Sequence, residues 1–284
     1  MRVLATITLL TGLLGAVWLT APGDPEPKKV VAATDFAPEP TDPVWGGQGT
    51  HNEPEGFVPI VEEEWESFDK YDWYHRITNS GNVEVKDGKL IWTYTAGMNG
   101  GHTPGGLVAA ELRHGPYQYH RDEGVLLSEN FHGHRSGVNK FRFWSDEGPR
   151  TIIGFFGSDD TPLMLGINTQ GWPMPAARLW WNHETNYAAP TRSEARVRRG
   201  IPHTIETLIY RGTPGNADGW VKAWLNGALV LDFRDLAIIR EGERLDFSQI
   251  HFAPVWGGTG DQIQEEQSLS VERSYVSVSP DTGS

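Results

Sequence analysis

The stretch Gly219-Trp-Val-Lys-Ala-Trp-Leu-Asn-Gly-Ala-Leu-Val-Leu-Asp-Phe233 decides the fold class. Its two halves are short runs rich in apolar and aromatic residues, and Asn226-Gly227 stands between them. An Asn-Gly pair readily supplies the two positive-φ residues of a type I′ turn, so the stretch predicts an antiparallel β-hairpin. Because successive side chains of a strand point to opposite faces, Trp220, Lys222 and Trp224 should share one face.

Runs of the same kind continue along the chain from about Phe57. Candidate strands from Lys89–Ala96 to Leu269–Val278 alternate with clusters of Gly, Pro, Asn and Asp, and helical spacing is scarce. Closely spaced strands of this kind predict a single all-β domain over residues 56–284. The expected architecture is a two-sheet antiparallel jelly-roll sandwich.

The chain before this domain has a different composition. Met1-Arg2 and the uncharged stretch from Val3 to Pro22 form the pattern of a secretory signal, and the apolar run is also close to the length of a membrane anchor. We therefore expect residues 1–22 to be a cleaved signal peptide or an uncleaved anchor, and the protein to be secreted, periplasmic or membrane-anchored. Residues 23–55 are rich in Pro and acidic residues and predict an extended linker.

Composition excludes several function classes. The formal net charge is −13, so nucleic acid is not an expected partner. The chain has no cysteine, which excludes disulfides, thiol nucleophiles and Cys-ligated metals. His132 and His134 lack a third ligand at suitable spacing, so no metal cofactor is expected. Asp159-Asp160 and Asp261 are candidates for a structural calcium ion, although acidic loops are usually just solvated.

Three predicted strands combine tryptophan with cations on one face. In Val138–Trp144, strict alternation separates these residues from Phe141 and Phe143, which should enter the core. Cations do not suit core faces, whereas indole rings and cations together suit an anionic sugar polymer. A solvated outer face and core packing are the alternatives. The three strands contribute Lys140, Arg142 and Trp144; Arg178 and Trp180; and Lys222 with its flanking tryptophans.

The segment between Arg113 and Arg142 is basic and histidine-rich within an acidic chain. Its densest part is Phe131-His-Gly-His-Arg-Ser-Gly-Val-Asn-Lys140. Such a local contrast can focus the electrostatic field in a cleft. Histidine is also the side chain most readily tuned for acid–base work near neutral pH. The segment therefore predicts substrate binding or acid–base chemistry, with an exposed loop without chemistry as the alternative.

Several stretches resemble exported proteins of the concanavalin-A-like jelly-roll superfamily, and among them polysaccharide lyases of the alginate and glucuronan lyase type. They are Asp87-Gly-Lys-Leu-Ile-Trp92, Gly133–Lys140 and Val271-Glu-Arg-Ser-Tyr-Val-Ser277. The resemblance covers roughly Phe57 to Val278. It implies a jelly-roll sandwich that binds a polysaccharide.

Alginate lyases of this fold carry an Arg-x-Glu-Leu-Arg strand, a Gln-Ile-His strand and a tyrosine-bearing strand near the carboxyl end. Here Glu111-Leu112-Arg113 is similar to the end of the first, Gln249-Ile250-His251 to the second, and Tyr275 to the third. Ala109 stands where the first arginine of that motif would be, and the family's Tyr-x-Lys-Ala-Gly-x-Tyr signature is absent.

The resemblance implies cleavage of a uronate polymer by β-elimination. That reaction needs a cation or amide to withdraw charge from a carboxylate and a base to reach the neighbouring proton. The implied roles are charge neutralisation by Arg113, Gln249 and Asn139, a base at His251 or His134, and a proton donor at Tyr275. Substrate binding is expected from His132, Lys140, Arg142, Trp144, Arg178, Trp180 and Lys222.

Two other functions stay open on the same scaffold. A glycoside hydrolase would need two carboxylates flanking the bond, and Glu111, Glu206 and Glu272 are the candidates, although no spacing singles them out. A non-catalytic, lectin-like glycan binder would need only the tryptophan-rich faces.

Overall fold

The Asn226-Gly227 hairpin forms as predicted. In the computed structural model of the chain, Asn226 and Gly227 have φ values of 51° and 80°, the positive pair that a type I′ turn requires. The flanking strands pair antiparallel, with Leu225 opposite Ala228.

The structure describes residues 51–66, 82–110, 116–145, 150–157, 163–170, 195–236, 238–239, 241–242 and 249–280, all within the compact unit Pro43–Ser284. Over these ranges no helix has the length and apolar character needed to cross a membrane. The strands are β1 (Val58–Glu63), β2 (Val83–Lys86), β3 (Lys89–Tyr94), β4 (Leu107–Ala110), β5 (Tyr117–Leu127), β6 (Val138–Ser145), β7 (Arg150–Phe156), β8 (Leu163–Gln170), β9 (Arg196–Val197), β10 (His203–Tyr210), β11 (Gly219–Leu225), β12 (Ala228–Leu236), β13 (Gln249–Phe252), β14 (Gln267–Val271) and β15 (Arg273–Val278).

These strands form two antiparallel sheets. The nine-stranded sheet has the order β12-β11-β10-β5-β14-β3-β2, and β15 joins it by pairing with both β5 and β1. The six-stranded sheet has the order β4-β13-β6-β7-β8-β9. The prediction of an all-β, two-sheet jelly-roll sandwich is confirmed.

The core lies between the two sheets. Leu90 and Trp92 of β3 enter it from the nine-stranded sheet, and Phe155 of β7 enters it from the six-stranded sheet with Ile250 and Phe252 of β13; all five are at most 1% exposed. Burial of side chains of this size contributes roughly 1.5–3 kcal/mol each to stability. The opposite, outer face of each sheet is where a large ligand could lie.

Strand β5 departs most from the sequence pattern, because it begins at Tyr117, whereas the alternation of residues predicts a strand only over Gly124–Ser128. Its core-facing side carries polar residues: His120 lies opposite Val276, which is fully buried in the core. A strand with polar side chains on both faces shows no alternation of apolar and polar residues, so the pattern identified only its carboxyl end.

Candidate functional site

The outer face of the six-stranded sheet carries His251. Strand β13 runs between β4 and β6, with His251 opposite Val108 on one side and Phe143 on the other. Its neighbours Ile250 and Phe252 are buried in the core, so alternation turns the partly exposed His251 outward. Gln249, two residues away, occupies the corresponding position in the register of β13.

Lys140 lies on the same outer face, next to two glycines. It stands opposite Gly154 of β7, which in turn stands opposite Gly166 of β8. In this row of three neighbouring strands only Lys140 has a side chain, and both glycines are buried. His251 is opposite Phe143, and Phe143 and Lys140 stand opposite β7 residues only two apart, which corresponds to roughly 7 Å along the strand direction.

Arg142 does not share this face, contrary to prediction. The register of β6 shifts between Lys140 and Arg142, which marks a β-bulge, and the extra residue reverses the alternation beyond it. Arg142 is therefore 2% exposed and lies in the core between the sheets. Its guanidinium pairs with the buried carboxylate of Asp122 and donates to His120 Nδ1 at 2.6 Å. An arginine enclosed in this way is not placed to bind a uronate.

Asn139 is also buried, and its hydrogen bonds are internal. Its Nδ2 donates to the carbonyl oxygens of Phe155 and Gly157 at 3.0 and 3.2 Å, and its Oδ1 accepts from the backbone N–H of His134 at 3.0 Å. This amide connects the loop from Phe131 to Gly137, hereafter the histidine-rich loop, to β7. The structure thus gives Asn139 a structural position rather than the carboxylate-neutralising position that we predicted.

His134 is enclosed by glycine backbone. A Cβ on Gly257 would lie 1.9 Å from the imidazole, and one on Gly100 would lie 2.6 Å from Nε2. The ring is 1% exposed and packs edge-on against Trp256 at 4.7 Å. Its Nδ1 accepts from the N–H of Ser136 at 3.0 Å, so the neutral ring carries its proton on Nε2.

Burial of His134 lowers its pKa, and nearby Asp261 opposes this effect only in part. The ring is consequently neutral near pH 7 but sealed from a polymer. It does not stand on the outer sheet face with His251, so the two predicted bases do not converge.

Tyr275 lies on the outer face of the other sheet. The register places it beside Arg121, which in turn stands opposite Glu206. The Tyr275 hydroxyl donates to Glu53 Oε1 at 2.7 Å, and Arg121 packs on its ring at 4.8 Å. Burial, together with the hydrogen bond to Glu53, raises the pKa of Tyr275 to about 12.

Tyr275 and His251 are therefore on opposite sides of the sandwich. Two sheets packed face to face are about 10 Å apart, and their outward side chains are farther apart still. The two groups cannot act on one glycosidic bond, so the predicted pairing of a base at His251 with a proton donor at Tyr275 is wrong.

Lys222 shares the outer face of the nine-stranded sheet with Trp220 and Trp224, as alternation predicts. The ammonium group lies 4.8 Å from the Trp220 ring centre. All three residues are only 6–7% exposed, so this face is not an open wall. Arg121 and Tyr119 of β5 also lie on this face. Neither was assigned a site role from the sequence, although Tyr117, Tyr119 and Arg121 alternate along the strand as residues of one face do.

His132 lies apart from these residues, at a cleft beside the histidine-rich loop. Its Nε2 is 2.9 Å from Glu265 Oε1. No cluster of three or more metal-ligating side chains occurs among the residues that the structure describes. Other predicted site residues lie outside the described residues: Arg113, Arg178 and Trp180, together with the side chains of Trp144 and Gln249.

No protein-family model and no curated protein matches the chain. Solved structures do match. Alginate lyase Aly36B is 14% identical with a TM-score of 0.54, over 76% of this chain and 95% of that one. The PL-14 alginate lyase from Aplysia kurodai is 13% identical with a TM-score of 0.55, over 77% and 98%. An endo-1,3-beta-glucanase from Streptomyces sioyaensis is 11% identical with a TM-score of 0.52, over 80% and 99%.

The chain thus has the concanavalin-A-like jelly-roll fold that the resemblance implied. The structural neighbours are mostly polysaccharide lyases, with a glucanase and a carbohydrate recognition domain among them. Some were solved with bound alginate oligosaccharides. At these identities the likeness concerns the fold and not the chemistry.

Proposed function

We propose that the protein is a polysaccharide lyase that cleaves a uronate-containing polymer on the outer face of the six-stranded sheet. The observation that carries the proposal is the joint position of His251 and Lys140 on that face, beside the row of Gly154 and Gly166. An imidazole and an ammonium group on one sheet face suit an anionic chain.

In this proposal His251 acts as the base. It removes the proton on the carbon next to the uronate carboxylate. The bond between the adjacent carbon and the glycosidic oxygen then breaks, a carbon–carbon double bond forms, and the departing oxygen takes a proton from water. Lys140 binds a carboxylate and stabilises the negative charge that develops there. Gln249 is a further candidate for that carboxylate, as the strand motif implies.

The shared fold supports a polysaccharide substrate, because alginate lyases have this architecture and one was solved with an alginate tetrasaccharide. A hydrolase is less well supported. Glu206, one of its candidate carboxylates, is 1% exposed and accepts hydrogen bonds from Tyr119 and Asn52. Polysaccharides do not cross cell membranes unaided, so we also propose that the protein works outside the cytoplasm.

The direct test is to incubate the protein with alginate, glucuronan and heparin-type polymers and to follow the ultraviolet absorbance of unsaturated ends. Loss of a general base lowers a rate by roughly 10²–10⁴-fold, so His251→Ala should lose almost all activity. Lys140→Ala should lose activity as well. The matched controls are His51→Ala and Lys86→Ala, and both should keep activity. His51 precedes Asn52, which contacts the nine-stranded sheet, and Lys86 is an exposed residue of β2 in that same sheet.

Absence of unsaturated ends on all three polymers would remove the lyase proposal. Retention of a polymer on an affinity gel without shortening would then identify a glycan binder. Equal activity of His251→Ala and wild type would show that the reaction takes place elsewhere.

A further inference from the structure

A cleft of about 430 Å³ opens where the loop from Phe131 to Gly137 meets the chain between Trp256 and Gln267. This volume falls in the ~300–1,000 Å³ range of small-molecule sites. The cleft is separate from the sheet-face residues His251 and Lys140, and neither of them lines it.

Hydrogen bonds hold the first wall of the cleft in place. The N–H of His132 donates to Gln267 Oε1 at 2.7 Å. The carbonyl oxygen of His132 accepts from Trp256 Nε1 at 2.7 Å and from Gln267 Nε2 at 3.2 Å. The backbone at His132 is thereby fixed from both sides.

Backbone hydrogen bonds also fix the opposite wall. The N–H of Ile263 donates to the carbonyl oxygen of Met98 at 3.0 Å, and the N–H of Gly97 donates to the carbonyl oxygen of Ile263 at 2.8 Å. The N–H of Gly100 donates to the carbonyl oxygen of Asp261 at 2.8 Å. A cleft with both walls tied down is preformed, which reduces the entropy lost when a ligand binds.

The polar groups in the cleft favour hydroxyl groups over carboxylates. Arg135 is already paired with Asp261 at 2.8 Å, and His132 contacts Glu265 at 2.9 Å. Two carboxylates thus face one permanent cation, so a uronate would meet net repulsion. Carboxylate oxygens and the side-chain amide of Gln262 instead accept and donate hydrogen bonds as sugar hydroxyls require.

We propose that this cleft binds a neutral, hydroxyl-rich sugar unit, with Asp261 and Glu265 as the principal hydroxyl acceptors. The site has a charge preference opposite to that of the proposed lyase face and does not depend on lyase activity. A protein with both sites would hold a neutral glycan at one end of the sandwich while an anionic polymer lies on the six-stranded sheet.

The test is isothermal titration of the full chain with cellobiose, maltose, lactose and mannobiose, and with digalacturonate as the charged comparator. We expect binding of at least one neutral disaccharide and at least tenfold weaker binding of digalacturonate. Loss of a hydrogen bond to a charged group costs about 1.5–3 kcal/mol, so Asp261→Asn and Glu265→Gln should each weaken neutral binding about tenfold or more.

Glu266→Gln is the matched control, because Glu266 is the exposed neighbour of Glu265 and does not line the cleft. It should bind as wild type does. The lyase-face variant His251→Ala should also keep the binding, which separates this proposal from the lyase proposal. Failure of all four neutral disaccharides to bind, equal binding of digalacturonate, or unchanged binding by both cleft variants would overturn it.

Discussion

Replacement of Arg142 by methionine tests the buried ion pair that joins the two sheets. Arg142 of β6 reaches across the core to Asp122 of β5, and its guanidinium also lies 4.0 Å from the ring centre of Phe252. Asp122 accepts a further hydrogen bond from Ser274 Oγ at 2.7 Å. Burial raises the pKa of Asp122, and the neighbouring Arg142 opposes this rise.

The loss of unfolding free energy depends on how Asp122 responds when its partner cation is removed. Methionine approximates the volume of the arginine stem, so the main loss is electrostatic rather than a cavity. Without Arg142, the Asp122 carboxyl group can become neutral by taking up a proton. The free energy of that protonation is therefore the upper limit of the stability lost in the variant. Protonation of an ordinary aspartate at pH 7 costs about 1.36 kcal/mol for each pH unit above 3.9, or roughly 4 kcal/mol.

We therefore expect Arg142→Met to lower the free energy of unfolding by about 3–4 kcal/mol at pH 7, within the range known for breaking one side of a buried pair. At pH 5 the same limit falls to about 1.5 kcal/mol, since protonation is then easier. The loss relative to wild type should thus shrink as the pH falls.

Urea unfolding followed by tryptophan fluorescence measures these changes at both pH values. The double variant Arg142→Met/Asp122→Asn should recover most of the loss, because it leaves no buried charge unpaired. The exposed pair Arg234–Asp232 gives a matched control, and Arg234→Met should change stability by less than about 1 kcal/mol. A single-variant loss below about 1 kcal/mol at pH 7, or a double variant no more stable than the single one, would refute the reasoning.

Other predictions concern three buried histidines and two residues, Gly257 and Asn139, that contact the histidine-rich loop. Burial lowers the pKa of His120, His134 and His203, so below about pH 6.5 the unfolded chain binds more protons than the folded one. Stability should then fall as the pH falls, by up to about 1.4 kcal/mol per pH unit per histidine, and melting temperatures between pH 8 and 5 check this. Gly257→Ala places a Cβ 1.9 Å from the His134 ring at a φ of +60°, so it should destabilise by about 2 kcal/mol or more in urea unfolding. Asn139→Ala removes three buried hydrogen bonds and should lose roughly 3 kcal/mol, and a loss below about 1 kcal/mol would contradict its structural position.

The sequence predicted those strands and turns whose local residue preferences match the packing that they have in the folded sandwich. Asn226-Gly227 can hardly adopt another turn between two apolar runs, and the alternation of Trp220, Lys222 and Trp224 survived in β11 unchanged. Alternation failed in β6, because a bulge after Lys140 depends on backbone contacts with the neighbouring strand that no single-strand pattern records.

The site was harder to predict than the fold, because residue type does not reveal which hydrogen bonds a side chain already makes. Asn139 and His134 have the chemistry of a lyase site, yet their bonds are used within the histidine-rich loop. Arg142 likewise has the charge that a uronate needs, but its partner is Asp122 on a distant strand. The sheet register is what distinguishes these buried residues from His251. His251 is known to face outward because its neighbours Ile250 and Phe252 are buried in the core.

Asn52 and Glu53 cover part of the outer face of the nine-stranded sheet. Asn52 donates twice to the Glu206 carboxylate, at 2.7 and 3.1 Å, and Glu53 accepts from Tyr275, so this segment already lies across β15, β5 and β10. A polymer would have to displace an acidic segment of the protein itself from that face. The outer side of the six-stranded sheet has an imidazole and an ammonium group at His251 and Lys140, both partly exposed, and we therefore assign the proposed lyase reaction to that face.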